Sequence, residues 1–342
     1  MKIFSGTSNP ALAQKIAEEL KIPLGKLEIF TFADGEKRIR ILDKVLEEDC
    51  IVVQPTSPPA DSNYMELFFI IDGLKRSGAR SITAVIPYLG YQRQDHVFRD
   101  GEAVSLEVVV ETLQSTGVSK IICFDLHSIK IPELFRLPLV HLSALPLFAE
   151  KIKELARGPA TRFPPASARS QNTDMRAVGN PSSPVTSNLA REGASSAYTL
   201  EANSYVLISP DMGGIRRIKE LSELLGNMPY AVIDKDRNLS TDEVEAVDLS
   251  GDVKGKTAIM VDDMISTGKT MVVGSKLLLE KGAKRVLVFA THPVFSDDSK
   301  ETLENSPIGK VVVCDTISVP KEKQFKKLEI LSIAKLVAGS LK

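Results

Sequence analysis

A chain of 342 residues, 43% apolar and 25% charged, is long enough for two domains with separate cores and has a globular balance. Its net charge of −1 excludes whole-chain attraction to nucleic acid or to an anionic membrane, so any phosphate-binding charge is local. No stretch approaches the ~18 apolar residues of a membrane span, and Met1 to Gly6 lacks the apolar core expected of a signal peptide.

The first helix is signalled by Asn9 as cap, Pro10 in the first turn and Leu12, Ile16 and Leu20 on one face. Short β-branched runs then predict strands at Ile51–Gln54, Ser81–Ile86, Lys120–Phe124, Tyr205–Ser209, Tyr230–Ile233, Ala258–Val261, Arg285–Ala290 and Lys310–Cys314. Helical patterns alternate with them, which predicts an α/β protein with mainly parallel sheets flanked by helices. Cys50, Cys123 and Cys314 each sit in or beside an apolar run, so buried reduced thiols and a cytoplasmic location are expected.

Leu74 to Ile82 resembles Leu278 to Val286, each a helix that ends near a glycine with a strand directly after it. Ile51-Val52-Val53 stands upstream as Ile259-Met260-Val261 does in the second copy, and Leu113 to Ile121 repeats the design. Two duplicated domains are expected, 1–146 and 147–342, with the C-terminal tail packing back on the first. Between Arg157 and Ala202 large apolar residues become sparse and prolines frequent, which predicts a disordered or loosely packed insertion.

Ala258 to Thr270 carries the clearest chemistry. An apolar strand leads into Asp262 and Asp263, then the short turn Ser266-Thr267-Gly268-Lys269, with a helix starting near Thr270. The unpaired N–H groups of such a helix start favour an anion, the hydroxyls add donors, and Gly268 lets backbone come close to a phosphate. Two carboxylates would repel that phosphate, so they suit sugar hydroxyls or a metal. A Walker A loop is excluded, because Asp263 occupies the position of its first glycine.

This segment resembles the loop that binds phosphoribosyl pyrophosphate (PRPP) in type I phosphoribosyltransferases and in ribose-phosphate pyrophosphokinases. The remaining motifs resemble the second family: Phe32-Ala33-Asp34-Gly35-Glu36, Arg93-Gln94-Asp95, Asp125-Leu126-His127, Ser209 to Gly214, and Lys235-Asp236-Arg237. They follow the family's order and cover nearly the whole chain outside the insertion. The stretch His96 to Val104 departs from the usual bacterial pattern and looks more like shorter archaeal-type members, and Lys269 fills a position that is usually small.

The resemblance implies two phosphoribosyltransferase-type domains and an enzyme that moves the diphosphoryl group of ATP to the 1-hydroxyl of ribose 5-phosphate. Lys235 and Arg237 would be catalytic. Phe32, Asp34, Gly35, Glu36, Arg93 and Gln94 would contact ATP. Arg237, Asp262, Asp263, Ser266, Thr267, Gly268, Lys269 and Thr270 would hold ribose 5-phosphate, and His127 and Asp211 would hold Mg²⁺. The family also implies a homo-oligomer, a hexamer or one built from dimers, whose ATP site is shared between subunits. A transferase that consumes PRPP and a silent regulatory subunit are the competing readings. The first conflicts with the Asp125-Leu126-His127 and Lys235-Asp236-Arg237 motifs, the second with the retention of Lys235, Arg237, His127 and Asp211 together.

Overall fold

The computed structural model describes residues 1–156, 204–237 and 244–342, with 235–237 and 244–247 as backbone alone. The expected insertion therefore lies outside the described residues.

The first half runs β1 (Lys2–Ser5), α1 (Pro10–Leu20), β2 (Leu27–Thr31), β3 (Lys37–Ile41), β4 (Asp49–Val53), α2 (Ala60–Arg76), β5 (Ser81–Ile86), α3 (Ser105–Ser115), β6 (Lys120–Phe124), β7 (Leu139–Leu142) and α4 (Leu145–Ala156). The second runs β8 (Tyr205–Ser209), α5 (Ile215–Leu224), β9 (Tyr230–Arg237), β10 (Val244–Ser250), β11 (Thr257–Ile265), α6 (Lys269–Glu280), β12 (Arg285–Pro293), α7 (Ser299–Glu304), β13 (Lys310–Cys314), β14 (Leu328–Leu331) and α8 (Ala334–Ser340).

The first sheet has the order β1-β4-β5-β6-β7, all parallel. The second contains the same series, β8-β11-β12-β13-β14, extended at one edge by β9 and β10. Parallel strands buried on both faces read as continuous apolar runs, which is why the central strands were visible in the sequence. The edge strands β1, β7, β10 and β14 and the paired strands β2 and β3 were not, because their patterns are short or half-exposed.

The helices between the sheets form the shared core. Asn9 Oδ1 accepts the Leu12 N–H at 3.2 Å, capping α1 as expected, and Leu12 and Ile16 are fully buried. They pack with Val337 of α8, so the C-terminal helix rests on the first domain. In return α4, after the last strand of the first sheet, packs on α5 of the second. Phe148 of α4 meets Phe289 of β12 edge-to-face at 5.4 Å between ring centres. One apolar cluster thus joins both halves, and each sheet carries a second cluster on its outer face. All three cysteines are buried and free, and burial pushes the Cys50 thiol up to about 11.

Two strands run further than their apolar cores suggest. β11 continues through Asp262 and Asp263 to Ile265 because β12 pairs with it as far as Ile265 opposite Pro293. β9 continues through Lys235 and Arg237, which pair antiparallel with β10, whereas the sequence reading placed both residues beyond the strand end. Backbone pairing, not apolar content, carries both extensions.

Candidate active site

Parallel α/β sheets bind ligands beyond the carboxyl ends of their strands. A cavity of about 740 Å³ lies at that edge of the second sheet and is closed by two loops of the first domain. Its walls bring together Arg93, His127, Asp211, Asp262, Asp263 and the turn Ser266 to Thr270, except Lys269.

The turn has the form that a phosphate seat needs. Gly268 precedes α6 with φ of 80°, and a Cβ there would lie 3.0 Å from Leu303, so only glycine fits without strain. Gly268 has no side chain to cap α6, and of the first turn only the Lys269 N–H finds a side-chain acceptor, Thr267 Oγ1 at 3.4 Å, which leaves the Thr270 and Met271 N–H groups open at the end that faces the cavity. Ser266 Oγ is held 2.8 Å from Ser296 Oγ, which anchors the turn to the loop after β12. Lys269 is exposed and does not line the cavity, because the first turn of the helix carries its side chain outward.

The two acids share a cation that the sequence reading missed. Arg217 of α5 reaches both, 3.3 Å from Asp262 and 3.8 Å from Asp263. The only hint in the sequence is its place one turn past Gly213-Gly214. Burial opposes its charge, but the acids around it, Asp263 first, raise its pKa. On the other side His127 Nδ1 is 2.7 Å from Asp263 Oδ2. Burial pushes Asp263 up, yet the His127 hydrogen bond and Arg217 outweigh it and hold the carboxyl well below its usual range. Asp262 moves the opposite way: burial, with Asp263 alongside, pushes it well up.

His127 is placed by its own loop and by the loop after β5. Gln92 Oε1 accepts its backbone N–H at 3.0 Å. Asp125, two residues earlier, accepts from the Ala144 N–H at 2.9 Å and from the Thr291 hydroxyl of the other domain at 2.6 Å. Asp211 turns its carboxylate back onto the Gly214 N–H at 3.2 Å, fixing the loop before α5. Gly214 sits tightly there, since a Cβ would lie 2.5 Å from Ser209 Oγ.

Among the described residues no three His, Cys, Asp or Glu side chains converge on a metal position. His127 and Asp211 instead face one cavity that also holds Asp234, Asp262 and Asp263. Oxygen-rich walls with few direct ligands fit Mg²⁺, which keeps several waters and binds through substrate phosphates.

The expected ATP contacts divide. Arg93 lines the cavity and an adjoining groove of about 850 Å³ that runs past His96 and Phe98, while Gln94 is exposed and lines neither. Phe32, Asp34, Gly35 and Glu36 form the exposed turn of the β2–β3 hairpin and line neither space. The turn closes by Phe32 N–H to Glu36 O at 2.8 Å, with Gly35 at φ of 92°. Arg38 lies over both Phe30 and Phe32, 5.2 and 5.8 Å from the ring centres. Lys235 and Arg237 continue the strand past Asp234, which is part of the cavity wall.

Comparison with known proteins settles the family. The model for the N-terminal domain of ribose phosphate pyrophosphokinase matches residues 1–117, and that for the phosphoribosyl synthetase-associated domain matches 231–342. The ribose-phosphate pyrophosphokinase of Fusobacterium nucleatum is 37% identical over 344 positions, covering 100% of this chain and 94% of that protein. The chain belongs to the ribose-phosphate pyrophosphokinase family. The family's member from Thermotoga maritima is 36% identical, again over 100% of this chain and 94% of its own length. The crystal structure of phosphoribosylpyrophosphate synthetase from Mycobacterium smegmatis matches with a TM-score of 0.80 at 32% identity, covering 99% of this chain and 97% of that one.

Proposed function

We propose that the interdomain cleft transfers the diphosphoryl group of ATP to the 1-hydroxyl of ribose 5-phosphate, releasing PRPP and AMP for nucleotide biosynthesis. The observation that carries this is the His127–Asp263 contact, which sets an ATP-side loop of one domain against the sugar-phosphate turn of the other. The open N–H groups at the start of α6, with Ser266, Thr267 and Thr270, bind the 5-phosphate. Asp262 and Asp263 accept hydrogen bonds from the ribose hydroxyls and hold the ring below the incoming phosphates.

Arg93 grips ATP phosphates, and the groove past His96 and Phe98 takes the nucleoside. The 1-hydroxyl attacks the β-phosphorus and AMP departs, so the protein's task is alignment and charge neutralisation. Lys235 and Arg237 supply the cations that follow the transferring group, and Arg237 also reaches the sugar phosphate. Magnesium, when bound near His127 and Asp211 through water, offsets phosphate charge. Four acids, Asp211, Asp234, Asp262 and Asp263, line a space meant for polyphosphate, which supports the need for added positive charge.

The active unit is a homo-oligomer in which Phe32, Asp34, Gly35 and Glu36 of a neighbouring copy complete the ATP site. Their absence from the walls of the chain's own cavity and groove supports this, as does the exposure of Phe30 and Phe32 at 44% and 41%. The enzyme works in the cytoplasm, and among the described residues no helix is long and apolar enough to cross a membrane. A coupled assay of AMP release from ATP tests the activity. AMP should form only when ribose 5-phosphate and Mg²⁺ are present. Release that ignores the sugar would refute the reading.

A further inference from the structure

The duplication relates the cleft to a second cavity, of about 430 Å³, between the same two domains. The cleft is walled by the loops after β8 and β11 of its own copy and after β5 and β6 of the other. The second cavity is walled by the loops after β1 and β4 and after β12 and β13, represented by Thr7, Ser57, Phe295 and Ile317. These loops correspond pairwise, because β1-β4-β5-β6 matches β8-β11-β12-β13 in sheet order.

Register converts this into residue equivalences. Ile3 pairs with Ile51 as Leu207 pairs with Ile259, so Thr7 stands at the position of Asp211. One residue beyond the matched runs Ile51–Val53 and Ile259–Val261, Gln54 stands at the position of Asp262. Counting back twelve residues from Gly78 and from Gly282, Glu66 stands at the position of Thr270. α2 has 17 residues against 12 in α6 and begins at Ala60, so helix replaces the turn that forms the phosphate seat in the second copy.

The polarity is reversed at all three positions. Two acceptors become donors, and the hydroxyl that would touch a phosphate becomes a carboxylate. Glu66 is fully buried and saturated: the Thr7 N–H donates to it at 2.6 Å, the Thr7 hydroxyl at 2.8 Å, Gln54 Nε2 at 3.0 Å and Lys37 Nζ at 2.7 Å. Four donors around one buried anion form an anion seat that is already filled.

We propose that Glu66 is a built-in anion that closes the sugar-phosphate seat of the first copy, so that each chain binds ribose 5-phosphate once. This rests on the reading of the α6 turn as the phosphate seat of the second copy. Glu66 thereby determines specificity without touching substrate.

The test compares melting temperatures of wild type, Glu66→Ala and Glu66→Gln in chloride, formate and inorganic phosphate at equal ionic strength. E66A should melt below wild type in chloride and regain about 2–4 °C more than wild type does from formate or phosphate. E66Q, whose amide fills the seat, should gain no more than wild type. An E66A chain that responds as wild type does overturns the proposal. So does one that fails to fold in chloride and refolds no better with either anion. Equilibrium dialysis should find one ribose 5-phosphate per wild-type chain, and two would also overturn it. Uptake of none would sink the reading of the α6 turn instead, while the formate response would still decide Glu66.

Discussion

His127 and Asp263 meet across the domain seam, with Nδ1 of one 2.7 Å from Oδ2 of the other. The pair ties the loop after β6 to the end of β11, so the relative position of the two domains enters the geometry of the site. The contact raises the His127 pKa above its ordinary value, with burial working against it. A raised histidine pKa means that the folded chain binds the proton more tightly than the unfolded chain. The stabilisation is complete below about pH 6.5 and is lost as pH rises through the raised folded value. In magnesium-free buffer, the melting-temperature gap between wild type and His127→Gln should therefore be widest at about pH 6 and shrink toward about pH 9. A gap that grows with pH would contradict the assigned protonation.

Lys235→Ala should lower turnover by about 10³–10⁵-fold, as for other cations acting on a transferring phosphoryl group. Ribose 5-phosphate binding should remain nearly intact. Initial rates of AMP formation and equilibrium dialysis measure the two separately, and unchanged turnover would remove Lys235 from the mechanism.

Arg217 pairs with two neighbouring carboxylates with only 17% of its side chain exposed. Arg217→Met leaves the acids buried beside each other without their shared cation. Urea unfolding should show a loss of about 3 kcal/mol, the low end for breaking a buried ion pair. A loss under about 1 kcal/mol would mean that water already screens the cluster.

Thr291 is fully buried and donates its hydroxyl to Asp125 at 2.6 Å across the domain seam. Thr291→Val keeps the shape and removes the donor, which should cost about 1.5–3 kcal/mol in urea unfolding, the range for a hydrogen bond to a charged group. AMP formation should fall with it, since Asp125 sits two residues from His127. Full activity in a destabilised variant would separate the seam from the site.

The proposed sharing of the ATP site between copies predicts complementation. Phe32→Ala and Lys235→Ala chains, each weak alone, should regain activity when unfolded together and refolded as a mixture. A mixture no more active than its parts would place Phe32 outside the neighbouring site.

Composition and apolar runs were enough to identify a parallel α/β chain, while the repeat around Gly78, Gly117 and Gly282 is also what any strand-helix-strand unit would give, and the strand series common to the two sheets carries the duplication. The turn from Ser266 to Thr270 was also legible as a turn that leads into a helix, because its form lies in consecutive residues. Arg217 was not, since an arginine on a helix face is ordinary until the fold brings it against two acids. The continuation of β9 through Lys235 and Arg237 escaped for a similar reason: β10, which pairs with it, has no strong pattern of its own.

Local sequence determined the central strands, the first helix and where an anion can rest on backbone N–H groups, since these follow from residues near in the chain. Only the tertiary structure decided which loops face one another across the domain seam, because contacts such as His127 with Asp263 join residues more than a hundred positions apart. It also decided which copy of the proposed seat is open. Thr270 faces a cavity, while its counterpart Glu66 is enclosed by donors from three other segments, an arrangement that depends on packing and not on local pattern.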